Sequence, residues 1–175
     1  MFDFTEIRTG IVEWILSVTA KKGIMADQNS VKPADTHFIY RLNSIMQVGE
    51  DYLSEPNSSG LASLHGHRDF TCQISGFGSG VLALTETLRS SLQIPEILDA
   101  LRVRKIVTFD RGPVEDITGL DETQYEERSS LDVFMRSQMV LTSVNVGAIE
   151  IVNGVATYKN QGSADITRNF TVSTT

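Results

Sequence analysis

Cysteine is almost absent from this sequence, with Cys72 the only one among 175 residues. A disulfide needs two, so no internal cross-link supports the fold, and a reducing compartment is the expected setting. No apolar run approaches the ~18 residues that a bilayer-crossing helix requires. The opening "MFDFTEIRTG" carries acid where a secretory leader carries base, so no signal peptide is expected. The chain is therefore expected to be made in, and kept to, a cytoplasm. Cations are in the minority, 15 Lys and Arg against 22 Asp and Glu, for a net charge of −7. Tight capture of nucleic acid needs clustered cations that displace counterions, and no dense basic window is present. An acidic surface past which DNA slides is compatible with this balance.

Catalytic parts are equally scarce. Three histidines occur, and His65-Gly66-His67, with Asp69 and Cys72 nearby, is the one grouping of metal-ligand types; His37 is distant. Zinc sites draw four ligands from two separated pairs, and the second pair is missing. "GFGSG" at Gly76 to Gly80 superficially resembles a phosphate-cradling turn, yet no lysine follows and neither nucleotide-loop spacing is met. A permissive strand-to-helix turn explains it more simply. No G-x-S-x-G elbow occurs, and Cys72 has no basic neighbour to activate it. The run "VEDITGLDETQYEER" holds Glu115, Asp116, Asp121, Glu122, Glu126 and Glu127, without EF-hand spacing, and reads as a solvated charged edge. Asp27-Gln28-Asn29 in "MADQN" reads as a turn bonding to its own backbone. No catalytic, cofactor-binding or metal-binding residue is assigned, and no cofactor. The chain is expected not to be an enzyme.

What the sequence does contain is periodicity. Phe4, Ile7, Ile11, Trp14, Ile15 and Val18 share one face of a helix, with Asp3 as N-cap and Lys21-Lys22-Gly23 as its stop. "THFIYRLNSIM" alternates as a strand through Phe38, Tyr40 and Leu42. "EDYLSEPNSSGLASLHGH" reads as an extended hairpin arm with "EPNSSG" at its tip. In "RDFTCQISGFG" Phe70, Cys72 and Ile74 face one way. Val81, Leu84, Leu88 and Leu92 mark a second helix, and Pro95 starts a third at its first position, with Ile97, Leu98 and Leu101 apolar. "KIVTFDRG" predicts a short strand, and Tyr125 to Val144 a long one with Leu131, Val133 and Met135 inward. Asn153-Gly154 between two β-type runs predicts a type I′ hairpin. Residues 161–175 read as a loosely held polar tail. These elements imply one domain over residues 1–175. Its class is α+β, an antiparallel or mixed β-sheet flanked by helices, with an extended β-hairpin arm.

Four stretches also carry a family likeness: "IMADQNSVKP", "RLNSIMQVGEDYLSE", "GHRDFTCQISGFGSGVLALTETLRSSL" and "GPVEDITGLDETQYEERSSLDVFMR". Between Ile24 and Arg136 the chain resembles the neck or tail terminator proteins of long-tailed bacteriophages, with contractile tails favoured. The resemblance implies a structural virion protein, made in the host cytoplasm, that forms a homo-oligomeric ring, commonly a hexamer, at the head-proximal end of the tail. Such a ring ends tail-tube polymerisation, docks the head–neck connector, meets the last sheath ring where the tail contracts, and passes genomic DNA through its lumen. No membrane partner is implied. A head-completion protein, or a small metal-dependent enzyme using His65 and His67, are the competing readings.

A ring requires heterologous contacts that close after a fixed rotation, and exposed arms or strand edges supply them. The expected interface residues are Asp51, Tyr52, Glu55, Asn57, His65, His67, Asn153 and Gly154. Acidic walls discourage phosphates from sticking, so Glu115, Asp116, Asp121 and Glu122 are the expected lumen-facing residues.

Overall fold

Asp3 starts the first helix: its carboxylate accepts the backbone N–H groups of Thr5 and Glu6, each at 3.1 Å. Two of the four donors that a helix leaves unpaired are thereby satisfied. This computed structural model describes residues 3–26, 33–121, 124–146, 151–158 and 166–173; the Asp27-Gln28-Asn29 turn lies outside the described residues. Helix α1 (Phe4–Thr19) buries Ile7, Ile11, Trp14 and Ile15, while Phe4 and Val18 at the ends of the stripe are only partly covered. Fully burying such a side chain stabilises by about 1.5–3 kcal/mol. The helix ends at Ala20, in the left-handed region at φ 54°, its N–H donating to the Leu16 carbonyl at 2.9 Å. Gly23, expected as part of the stop, instead opens β1 (Gly23–Met25).

The chain continues as β2 (His37–Leu53), β3 (Leu61–Phe77), α2 (Val81–Ser91), α3 (Pro95–Val103), β4 (Ile106–Asp116), β5 (Gly119–Asp121), β6 (Gln124–Glu126), β7 (Arg128–Asn145), β8 (Ile151–Tyr158) and β9 (Ile166–Ser173). A five-stranded sheet has the order β1-β2-β3-β7-β4. It is mixed, since β1 runs parallel to β2 and β4 antiparallel to β7. With three helices, this is the expected α+β class. By its contacts the chain divides into two compact units, Met1–Asp51 with Gly66–Met139, and Tyr52–His65 with Val140–Thr175.

The first unit contains the core. Phe38 and Tyr40 of β2, Phe70, Cys72 and Ile74 of β3, and Leu131, Val133 and Met135 of β7 cluster with α1, with Val81, Leu88 and Leu92, and with Leu101 of α3. Strand alternation therefore placed these inward faces correctly. At Trp14 the indole N–H donates to Ser91 Oγ at 2.9 Å, a buried bond between α1 and α2. Gly76 is required by close approach, because a Cβ there would overlap Val81 Cγ2 and lie 2.7 Å from Ser129 Oγ.

Between β3 and α2, Gly78 and Gly80 adopt φ of +100° and +73°. Such conformations are open to glycine at little steric cost. Helix α2 has no side-chain cap from its own N-cap residue. Glu127 supplies one from a distance, its Oε2 accepting the Gly80 N–H at 2.6 Å, while its carbonyl accepts the Gly78 N–H at 3.0 Å. The single strand expected from Tyr125 is consequently interrupted at Glu127, and β7 begins at Arg128.

In the second unit the expected tip at "EPNSSG" is present as a hydrogen-bonded turn. Asn57 is its organiser: its Oδ1 accepts the N–H groups of Ser59 and Leu61 at 2.9 and 3.0 Å, and its own N–H donates to the Leu61 carbonyl at 2.8 Å. The type I′ hairpin expected at Asn153-Gly154 is not formed. Both residues lie inside β8, opposite Thr171 and Phe170 of β9. An Asn-Gly pair favours a turn only locally, and the alternating "ITRNFTVS" offered the whole of β8 a full-length antiparallel partner. Thus Ile166–Ser173, within the stretch read as a polar tail, forms β9; the rest of that stretch lies outside the described residues.

Candidate functional site

The β2–β3 tip of the second unit is exposed. Tyr52 is 64% exposed and Leu53 43%, and Glu55 and Asn57 are exposed as well. The backbone beneath them is tied: the Ser54 N–H donates to the Ser63 carbonyl at 2.8 Å, and the Ser63 N–H to Ser54 Oγ at 2.9 Å. The Val146 N–H of β7 donates to the Gly60 carbonyl at 3.1 Å. A loop held by this many backbone bonds loses little freedom when something docks on it.

The remaining expected interface residues have mixed settings. Asp51 is committed to an ion pair, its two carboxylate oxygens accepting from Arg68 at 2.7 and 2.6 Å. The hydrogen bonds from Arg68 hold the Asp51 carboxyl below the ordinary carboxylate range and raise the guanidinium in return. His65 is half-buried and His67 exposed, both on β3. Asn153 and Gly154 are strand positions of β8.

The acidic run does not act as one group. Glu126 pairs with Arg128 at 2.8 Å, Glu127 caps α2, and Asp116 accepts the Thr118 N–H at 2.9 Å. The Thr118 hydrogen bonds lower the Asp116 carboxyl. Glu115 is exposed, opposite Ser130. Asp121 pairs through its backbone with Gln124, and Glu122 lies outside the described residues.

Two features escaped sequence reading. The first is a pair of ion pairs made across strands: besides Asp51–Arg68, Asp69 accepts from Arg136 at 2.6 and 2.9 Å, and Arg136 lies 5.6 Å above the Phe109 ring. The hydrogen bonds from Arg136 lower the Asp69 carboxyl. The second is an open cleft of about 390 Å³ in the first unit, lined by Arg89, Leu92, Leu98, Thr108, Phe109, Asp110 and Arg111. It unites α2, α3 and β4, so no local spacing could announce it.

As for reactive groups, Cys72 is buried, and burial first, with Asp132 second, pushes its thiol up. His37 is buried with Nδ1 2.8 Å from the Asp35 carbonyl, its ring stacked on Phe77 at 5.4 Å. Among the described residues no group of three or more His, Cys, Asp or Glu is placed to hold a metal ion. Among them, too, no helix is long and apolar enough to cross a membrane.

These features define an α+β protein whose exposed elements include a hydrogen-bonded turn and a partly apolar cleft with two arginines. Residues 5–162 match the family described as phage neck terminator protein, and the chain belongs to that family. It is thereby a virion component of structural type that associates with other tail and head proteins of the phage. No curated protein matches the chain.

Proposed function

We propose that the chain closes into a homo-oligomeric ring, a hexamer, at the head-proximal end of the tail. There it stops tube polymerisation, meets the last sheath ring where the tail contracts, and joins the tail to the head–neck connector. The observation that carries this reading, beyond family membership, is the ordered tip with Tyr52 64% exposed. A large aromatic held outward on a hydrogen-bonded turn favours contact with another protein surface. Asp51, Tyr52, Glu55, Asn57, His65, His67, Asn153 and Gly154 are the proposed interface positions, with Asp51 acting through Arg68. Glu115, Asp116, Asp121 and Glu122 are proposed to face the lumen, where negative charge keeps passing DNA from adhering. No catalysis and no cofactor form part of this function.

Particles lacking the protein test it. Overlong, uncapped tails are expected under the electron microscope; normal tails on empty heads would instead assign a head-completion role. Purified protein that stays monomeric at every concentration and never caps tube protein would overturn the ring itself.

A further inference from the structure

The arginine-lined cleft of the first unit holds an arginine in a setting that the other described arginines do not share. Among arginines whose side chains are described, Arg68, Arg89, Arg102, Arg104, Arg128 and Arg136 all hydrogen-bond to acceptors. Arg8 lies over Phe4, and Arg41 is also engaged. Arg111 is half-buried in the cleft wall, and its guanidinium meets no partner among the described residues. Beside it the Asp110 carboxylate is occupied by the Arg111 N–H at 2.8 Å. Arg89 is fixed by its Nε bond to the Gly112 carbonyl at 2.9 Å and a long 3.5 Å contact to Glu86. Leu92, Leu98 and Phe109 (55% exposed) supply the apolar part. Such a site selects a carboxylate carried next to an apolar side chain.

The neighbouring edge strand offers no simpler contact. β4 ends the sheet order, but its pairing with β7 shifts register between Thr108 and Asp110 and again between Arg111 and Val114. Pro113, within the second of those breaks, has no N–H to give. Bulges and proline are the devices that stop an edge from accepting another strand. Recognition here is therefore by side chains.

The tip of the second unit carries the complement. Glu55 is exposed, and its carboxylate has no hydrogen-bond or ion-pair partner among the described residues; Tyr52 and Leu53 are exposed three and two positions before it. We infer that the tip segment Tyr52–Glu55 of one copy docks in the Arg111 cleft of the next copy, pairing Glu55 with Arg111 and setting Tyr52 against Leu98 and Phe109. A cleft on one unit and a plug on the other form a heterologous contact, the kind that can propagate around a closed ring. This rests on the ring reading and names the contact that closes it.

The experiment uses the full-length chain and its association measured by sedimentation and light scattering. Arg111→Glu and Glu55→Arg, each alone, are expected to weaken self-association about tenfold or more, and the double reversal to recover most of that loss. Circular dichroism checks that each variant folds; where a reversal does not, Arg111→Gln and Glu55→Gln replace it. A second measurement mixes two single variants, Tyr52→Cys and Leu98→Cys, under mild oxidation, with cross-linking expected only between the two kinds of chain; buried Cys72 stays out of the reaction. If the wild type associates and the Arg111 variants associate equally well, this contact falls and the ring reading stands. Single losses without recovery in the double reversal also overturn the contact, because the carboxylate then lies elsewhere. A wild type that never associates overturns the ring reading and this contact with it.

Discussion

Replacing Gly76 by alanine adds one methyl group at a crowded point of the core, and its effect can be worked out from the contacts. The new Cβ would overlap Val81 Cγ2 of α2, and would lie 2.7 Å from Ser129 Oγ of β7 and 3.0 Å from Phe38 Cε1 of β2. Val81 and Phe38 are fully buried, so neither can swing into solvent. Overpacking of this kind costs about 1–3 kcal/mol. Ser129 Oγ also shares a buried 2.6 Å hydrogen bond with Thr85 Oγ1, and pushing it aside adds about 1–2 kcal/mol. The total, about 2–5 kcal/mol, corresponds to a fall of roughly 4–20 °C in Tm for a chain this long. Thermal melting followed by circular dichroism measures it, at one protein concentration, since self-association would shift Tm by mass action. Val81→Ala opens space where the methyl collides, so the double variant Gly76→Ala/Val81→Ala should lose less than the two single losses added together. A Gly76→Ala chain as stable as the wild type, or strictly additive losses, would refute this packing of β3 against α2.

Two further outcomes concern the polar interior and the cross-strand ion pairs. Ser91→Ala removes the acceptor of the buried Trp14 indole N–H and should cost about 1–3 kcal/mol; Trp14 is the sole tryptophan, so its fluorescence reports the change directly in a urea titration. Asp51 and Asp69 both have folded-state pKa values below the unfolded 3.8, because Arg68 and Arg136 hydrogen-bond their carboxylates. Depressed values mean stability that is present above the unfolded pKa and lost as pH falls through the folded one. Stability should therefore drop below about pH 4, and Asp51→Asn/Asp69→Asn should lower neutral-pH stability while flattening that acid limb. An unchanged acid limb in the double variant would remove the two pairs as its cause.

Helices and inward strand faces were legible because each rests on local rules. Asp3 caps α1 through atoms two and three residues away, and the Phe70-Cys72-Ile74 alternation needs only the pleat of one strand. The tip was legible for the same reason, since Asn57 bonds to residues within four positions of itself. Locality also explains the failures. Asn153-Gly154 carries a turn preference, yet β8 pairs with a segment that begins eight residues after its end. Glu127 looked like one more charge in an acidic run until α2, 47 residues earlier in the chain, brought the Gly80 N–H to its carboxylate.

By itself, then, the chain determined where its helices and core strands lie, the α+β class, and the chemistry it has little of, because periodicity, capping and composition act over a few neighbouring residues. Only the tertiary structure decided which charges are spent on internal pairs and, among the described residues, which arginine is left over. It also decided that β4 ends the sheet behind two register breaks, and that α2, α3 and β4 enclose a cleft. Those outcomes depend on which distant segments become neighbours, and that is settled by packing the whole core.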